Sequence, residues 1–322
     1  MNQTILAIGE LLIDFVPHEQ GVPLHEVTTF TRVAGGAPAN VVTAVARLGG
    51  HGTMLSQVGN DAFGEHIVRT LSENGVDTQY ISTTDRAHTG LAFVSLTADG
   101  DRQFSFYRDP AADLYLSEEQ LSPAMFDDCA ALHFCSVDLV PSPMRGAHRA
   151  AIDYARRAGA IISFDPNVRL PLWSSAADCQ AAIREFLPLA DLVKLSDDEL
   201  EFVTGETDPQ KAADALFAQS CKLLLLTRGG DGSEAYVPGA HASVPPVKVP
   251  QVVDTTGAGD SFIGSFLFQL AREGITPATL GTQDAATLTR WLTFSAQYAS
   301  LTVQHQGAVM ATMQEMQDRF GV

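Results

Sequence analysis

Beyond Ala130 the apolar residues come in short, nearly unbroken runs: ALHFCS, AIISFD, DLVKLS and KLLLLT. Half-exposed strands would alternate, so runs of this kind suit a parallel sheet covered on both faces. Helical patterns separate them, for example over Pro143–Arg157 and Ala176–Leu187. Nearer the N-terminus, TILAIGELLIDFVP opens as a buried strand that continues, or bends, into something more exposed. In GGAPANVVTAVARLGG, Pro38 suits a first helical turn, and Val41, Val42, Val45 and Leu48 share one face. Gly49-Gly50 ends the helix. NDAFGEHIVRTLSENGV repeats the plan, with Asp61 as cap, Ile67, Val68 and Leu71 inside, and Gly75 as stop. The period then drops to two. TGLAFVSLTADGDRQFSFYR reads as a hairpin turning at Asp99-Gly100. GSEAYVPGAHASVPPVKVPQVVD returns to strand and loop character, and the tail Pro277–Phe320 is mostly helical.

These rhythms predict an α/β fold: a doubly wound, mostly parallel central sheet flanked by helices. A smaller sheet from about 12–33 and 88–113 is inserted into it or leans on it. No linker or internal repeat interrupts the 322 residues, so a single domain over 1–322 is expected.

Charge narrows the function. With a formal net charge of −18, the chain offers no basic face for nucleic acid. A phosphate ligand would have to be held by backbone amides, a few chosen cations and a metal. Cys129, Cys135, Cys179 and Cys221 show no C-x-x-C spacing and read as free thiols of a reducing compartment. The start lacks a basic n-region, and no apolar run approaches the roughly 20 residues of a membrane span. A soluble cytoplasmic protein with no membrane partner is expected.

Ligands of open parallel sheets gather beyond the carboxyl ends of the strands. Four such ends here carry polar groups: Asp165 to Arg169 after AIISF, Lys194, Ser196 and Glu199 after DLV, Thr227 to Gly232 after KLLLL, and Asp254 to Asp260 after VPQVV. In the last, Phe262, Ile263, Phe266, Leu267 and Leu270 fall at helical spacing, so a helix begins near Ala258. Its first amides have no partner within the helix, and the positive end of the dipole lies behind them. Gly257, Ala258 and Gly259 let a bulky anion approach those amides. Asp260 faces the same space, which suits a base taking a proton from a hydroxyl while the amides steady a transferring phosphoryl group. On this stretch alone, Asp260 could equally complement the helix N-terminus beside a glycine turn. The segment is not a P-loop, since no G-x-x-x-x-G-K-[ST] occurs.

Together, DTTGAGDSF and GGAPANVVTAVARLGG resemble the two signature segments of the ribokinase-like (PfkB-type) sugar kinases, and the resemblance runs from IGELLIDF to HQGAV. It implies ATP-dependent phosphorylation of a sugar hydroxyl beneath an inserted β-sheet lid, a Mg²⁺ cofactor, and a homodimer formed through that lid. Asp260 then matches the catalytic base, and Gly257, Ala258 and Gly259 the anion hole. Asp14, Gly35, Gly36 and Asn40 match sugar-contacting positions; a helix cap is the other reading of Asn40. Lys194, Thr227, Gly229 and Gly232 match the nucleotide side, and Glu199 a glutamate that organises Mg²⁺ through water. An exposed helix carboxylate is the alternative for Glu199. Asp254 and Thr256 match positions that hold a monovalent cation, K⁺, in many members.

The resemblance is incomplete. Ser196 stands where many members have asparagine and Arg228 where leucine is common. GAVMATM lacks a usual proline, which leaves the potassium site and the adenine rim near Gly307 open. FSFYRDPAADLYL and DPNVRLPLW, with Arg108, Asp113, Asn167 and Arg169, look like the bacterial fructokinase branch. The 2-keto-3-deoxygluconate kinases share an arginine after the lid strand that can meet a carboxylate. Asp113 favours a neutral sugar, because a second carboxylate would repel a sugar acid. A nucleoside or other sugar is the further alternative. A silent nucleotide-binding regulator fits poorly with an intact Asp260, and a dehydrogenase with the lack of G-x-G-x-x-G after the first strand.

Overall fold

The computed structural model describes residues 3–19, 21–96 and 102–322. Nine strands form the large sheet. Their spatial order is β13 (Ala240–Val244), β12 (Ser233–Val237), β11 (Leu223–Thr227), β10 (Leu192–Ser196), β9 (Ile161–Asp165), β8 (Cys129–Cys135), β1 (Thr4–Ile8), β4 (His51–Gly59) and β5 (Asp77–Thr84). From β11 to β5 all pairs are parallel, and β12 and β13 add an antiparallel edge.

A second sheet has the order β3 (Phe30–Gly35), β2 (Leu12–Pro17), β6 (Gly90–Leu96) and β7 (Arg102–Tyr107). It is mixed: β2 runs parallel to β6, and the other pairs are antiparallel. TILAIGELLIDFVP therefore bends, giving β1 to one sheet and β2 to the other. The turn expected at Asp99-Gly100 lies outside the described residues; the strands flanking it pair antiparallel.

Helices cover both faces of the large sheet. On one lie α1 (Ala37–Arg47), α7 (Ala258–Arg272), α8 (Pro277–Leu280), α9 (Ala285–Thr302) and α10 (Met313–Phe320), packed with Ile5, Leu223 and Leu225. On the other lie α3 (Pro143–Arg157), α4 (Ala176–Phe186), α5 (Asp197–Thr204) and α6 (Pro209–Phe217), around Leu6, Phe134 and Phe164. α2 (Ala62–Glu73) closes a smaller cluster with Ala7, Met54 and Val58.

α7 is buried continuously from Ser261 to Leu270. Each large apolar side chain so enclosed stabilises by about 1.5–3 kcal/mol, so the N-terminus of this helix is held on a rigid core element.

One expectation is corrected. VPQVV is not a strand: Gln251 to Thr255 are irregular, and Val252 and Val253 are 55% and 52% exposed. Among the described residues, no strand of either sheet pairs with this segment. Instead, the Val253 N–H bonds the Val303 carbonyl at the end of α9 (2.8 Å). The polar strand ends on this rim are those of β9, β10 and β11, and Asp254 reaches the rim from a loop.

Candidate active site

Between the two sheets lies a cavity of about 390 Å³. The ends of β9, β10 and β11, the turn before β2, and the N-terminal turns of α1 and α7 converge on it. Gly257, at φ 75°, starts α7 in a left-handed conformation, and a Cβ there would lie 2.5 Å from that of Ala308. Only glycine fits this turn.

Asp260 sits in the first turn of α7, and its Oδ2 accepts a hydrogen bond from Asn40 Nδ2 (2.8 Å). Asn40 therefore lies inside α1 and reaches across to α7; it does not cap its own helix. Enclosure by protein pushes the Asp260 carboxyl up to about 6, helped by the charge of Asp165. The Asn40 bond, Lys194 and Arg169 work against that rise. The group is thus ionised at neutral pH yet basic enough to accept a proton.

Lys194, on β10, is 6% exposed and pairs with Asp165 Oδ2 at 2.9 Å. Burial disfavours its charge, but Asp165, Glu199 and Asp260 outweigh that and raise its pKa. It lies beside Gly259 and lines the same cavity as Asp260. Glu199 is half-buried, which removes the reading of an exposed helix carboxylate. Its Oε2 accepts from Ser196 N and Oγ (both 3.0 Å), a capping box, and its Oε1 accepts from Val168 N (2.6 Å). It thereby ties the end of β10 to the loop after β9. Ser196, where asparagine is common, serves as the N-cap of α5.

Asp14 projects from β2 beside Gly35, where a Cβ would stand 2.3 Å from Asp14 Oδ2. Asp14, Gly36, Asn40, Asn167 and Arg169 all line the cavity. Asn167 holds φ 44°, uncommon for a non-glycine residue, with its N–H on Asp165 Oδ1 (3.1 Å).

Arg108 is not on this wall. It is 8% exposed, and its Nη2 bonds Asp113 (2.5 Å) and Asp138 (2.6 Å). Asp113 was a foreseeable partner. Asp138, which follows β8, was not, because the fold alone brings it close. Burial of three charged groups in one place is tolerated here because each is paired.

A second, apolar cleft of about 300 Å³ adjoins the first. Gly229 and Gly232 border it, together with Val247, Val249, Val252, Phe262, Ala296, Ala299 and Val303. Thr227, Thr255 and Gly259 border both spaces. Asp254 is buried behind this junction: Oδ1 accepts from Thr256 N (2.7 Å) and Oδ2 from Gly307 N (2.8 Å). Gly307 thus braces the loop before α7 and does not line the cleft.

Sequence reasoning did not assign Glu10, Asp165 or Phe106, all on the wall of the polar cavity. It also missed the apolar cleft, although Ala296, Ala299 and Val303 repeat at helical spacing and signal a face left open by small residues.

A polar cavity joined to an apolar cleft at the start of a buried glycine-led helix, with a carboxylate in its first turn, defines a phosphotransferase acting on an alcohol. The sequence pattern of the pfkB family carbohydrate kinases matches residues 2–315. Fructokinase-2 of Solanum lycopersicum is 41% identical over 308 residues, covering 95% of this chain and 92% of its own. The crystal structure of the Xylella fastidiosa fructokinase with bound ATP superposes with a TM-score of 0.88 at 36% identity, covering 99% of each chain. That of the Vibrio cholerae O395 fructokinase with fructose, ADP and calcium gives 0.82 at 29%, covering 95% of this chain and 94% of the other. The chain belongs to the pfkB family of carbohydrate kinases. Among the described residues, no helix is long and apolar enough to cross a membrane.

Proposed function

We propose that this kinase transfers the γ-phosphate of ATP to fructose, giving fructose 6-phosphate. The observation that carries this reading is the Asn40–Asp260 pair at the mouth of α7, where the polar cavity meets the apolar cleft. Adenine would occupy the cleft, and the sugar would lie among Asp14, Asn40, Asn167 and Arg169. Asp260 takes the proton of the attacking hydroxyl, and the amides at Gly257, Ala258 and Gly259 face the charge on the transferring group. The mixed sheet acts as a lid that excludes water from the sugar. With Arg108 held by Asp113 and Asp138, no clamp for a sugar carboxylate is built at that position, which favours fructose over 2-keto-3-deoxygluconate.

Magnesium would neutralise charge between the nucleotide phosphates. Both Glu199 oxygens already accept hydrogen bonds but retain lone pairs, so Glu199 suits a water-mediated contact with the ion, not direct ligation. Asp254 and Thr256 suit a potassium ion behind the anion hole. We place the enzyme in the cytoplasm, in keeping with four buried free cysteines. We also infer a homodimer through the lid, whose edge strand β7 exposes Tyr107 (64%); a monomeric mass by sedimentation would remove that inference.

Initial-rate ADP release over a panel of fructose, other hexoses, 2-keto-3-deoxygluconate and nucleosides tests the substrate. The highest kcat/KM is expected with fructose, and turnover should vanish in excess chelator and drop when sodium replaces potassium. A sugar acid or nucleoside as the best substrate would overturn the fructose assignment.

A further inference from the structure

We propose that Glu199 is a positioning residue for the acceptor sugar: by holding the Val168 amide, it fixes the loop that carries Asn167 and Arg169 to the polar cavity. This rests on the sugar-kinase reading above and is independent of any metal that Glu199 helps to hold. Asn167 and Arg169 flank Val168 in the chain, and both line the cavity. Their loop follows β9 and has no regular structure before Leu170, so no ladder of backbone bonds orients it. Two carboxylates do so instead. Asp165, whose Oδ2 pairs with Lys194 Nζ (2.9 Å), accepts the Asn167 N–H through Oδ1 (3.1 Å). Glu199 Oε1 accepts the Val168 N–H (2.6 Å).

Glu199 is itself firmly held. Its Oε2 closes the capping box with Ser196 N and Oγ (both 3.0 Å), and the next residue of α5, Leu200, is buried. The peptide groups of Val168 are engaged on both sides, since its carbonyl accepts from Arg169 Nη1 (3.0 Å). The residue that Glu199 pins therefore also orients the guanidinium. On the other side, Asn167 stays at φ 44°, a conformation that persists where the surroundings impose it. With the Val168 N–H released, Asn167 can relax and carry its side chain off the cavity wall. An ionised acceptor makes the pinning bond a strong one. Glu199 thus acts on the sugar through the loop.

Titration calorimetry in excess chelator, without nucleotide, separates this role from metal binding. The titrant is the sugar that the wild-type enzyme turns over fastest. Glu199→Ala should raise the sugar Kd by about fivefold or more, while the Kd for ATP in the same buffer rises by less than about twofold. Glu199→Gln has one acceptor oxygen for two backbone donors. A capping box accepts glutamine at this position, so the oxygen stays with Ser196, Val168 loses its partner, and the sugar Kd should rise by about threefold or more. Gly205→Ala strains the opposite end of α5, where φ is 79° and a Cβ would meet nothing within 4 Å. Its sugar Kd should stay within about twofold of wild type, because Glu199 and Val168 are untouched. Should the alanine variant at Glu199 fail to fold, the glutamine and Gly205 variants decide alone. Three results overturn this assignment alone: a sugar Kd within about twofold of wild type in the Glu199 variants, an equal loss in Gly205→Ala, or an equal loss of ATP affinity. A wild-type enzyme that binds its sugar only with metal present does the same. An enzyme that phosphorylates no sugar overturns the underlying reading and this assignment with it.

Discussion

The polar cavity and the apolar cleft share a wall, yet they are built in opposite ways. The cavity gathers Glu10, Asp14, Asn40, Asp165, Lys194 and Asp260 from distant parts of the chain, with Lys194 paired to Asp165 and Asn40 bonded to Asp260. The cleft is a slot between the segment Pro246 to Val252 and the small residues of α9. A ligand rich in hydroxyls needs an oriented partner for each, and a misplaced buried charge is costly. A flat apolar ring needs only space and surface to cover. On the function proposed here, specificity for the acceptor would depend on long-range packing, nucleotide affinity on local shape, and chemistry on Asp260 where the two spaces meet.

The largest effect is expected at Lys194. Lys194→Met leaves Asp165 buried without its partner, and stability should fall by about 3–5 kcal/mol, read as a shift in the urea midpoint. Loss below 1 kcal/mol would mean that the cavity does not depend on paired charge. Next comes the cleft: Ala299→Phe fills it, and the KM for ATP should rise about tenfold while the sugar KM stays put. Equal increases in both would show that the two spaces are not independent. Near neutrality, the smallest effect is expected from pH. Asp260 is raised above its ordinary value to about 6, so the base is ionised above that pH and protonated below it. The rate should be halved near pH 6 and fall about tenfold per unit beneath it, with no loss up to neutrality. A rate that holds constant down to pH 4.5 would exclude a base with this pKa.

Contiguous features were legible in the sequence. The strand runs, the Pro38 entry and Gly49-Gly50 exit of α1, and the Gly257 to Asp260 turn each depend on neighbours a few residues away, as caps and turns do. The split of the opening strand between two sheets was left open, and the backbone resolved it. What the sequence hid was pairing at a distance. Asn40 and Asp260 are 220 residues apart, and Arg108 and Asp138, which follow strands of different sheets, meet only in the folded chain. VPQVV misled for a related reason: its valines are apolar because Val249 and Val252 face the cleft, not because they pair in a sheet. Glu10 passed unnoticed because one carboxylate in an apolar run does not reveal the distant backbone amide, that of Ala37, which it will meet.

On the proposed function, Asp260 performs the chemistry at a junction whose two ligand spaces stand without it. Asp260→Asn, measured by titration calorimetry for ATP and sugar and by single-turnover kinetics for phosphoryl transfer, tests this directly. Dissociation constants within about threefold of wild type and a turnover lower by about 10²–10⁴-fold are expected. A variant that keeps more than half of the wild-type rate would contradict it.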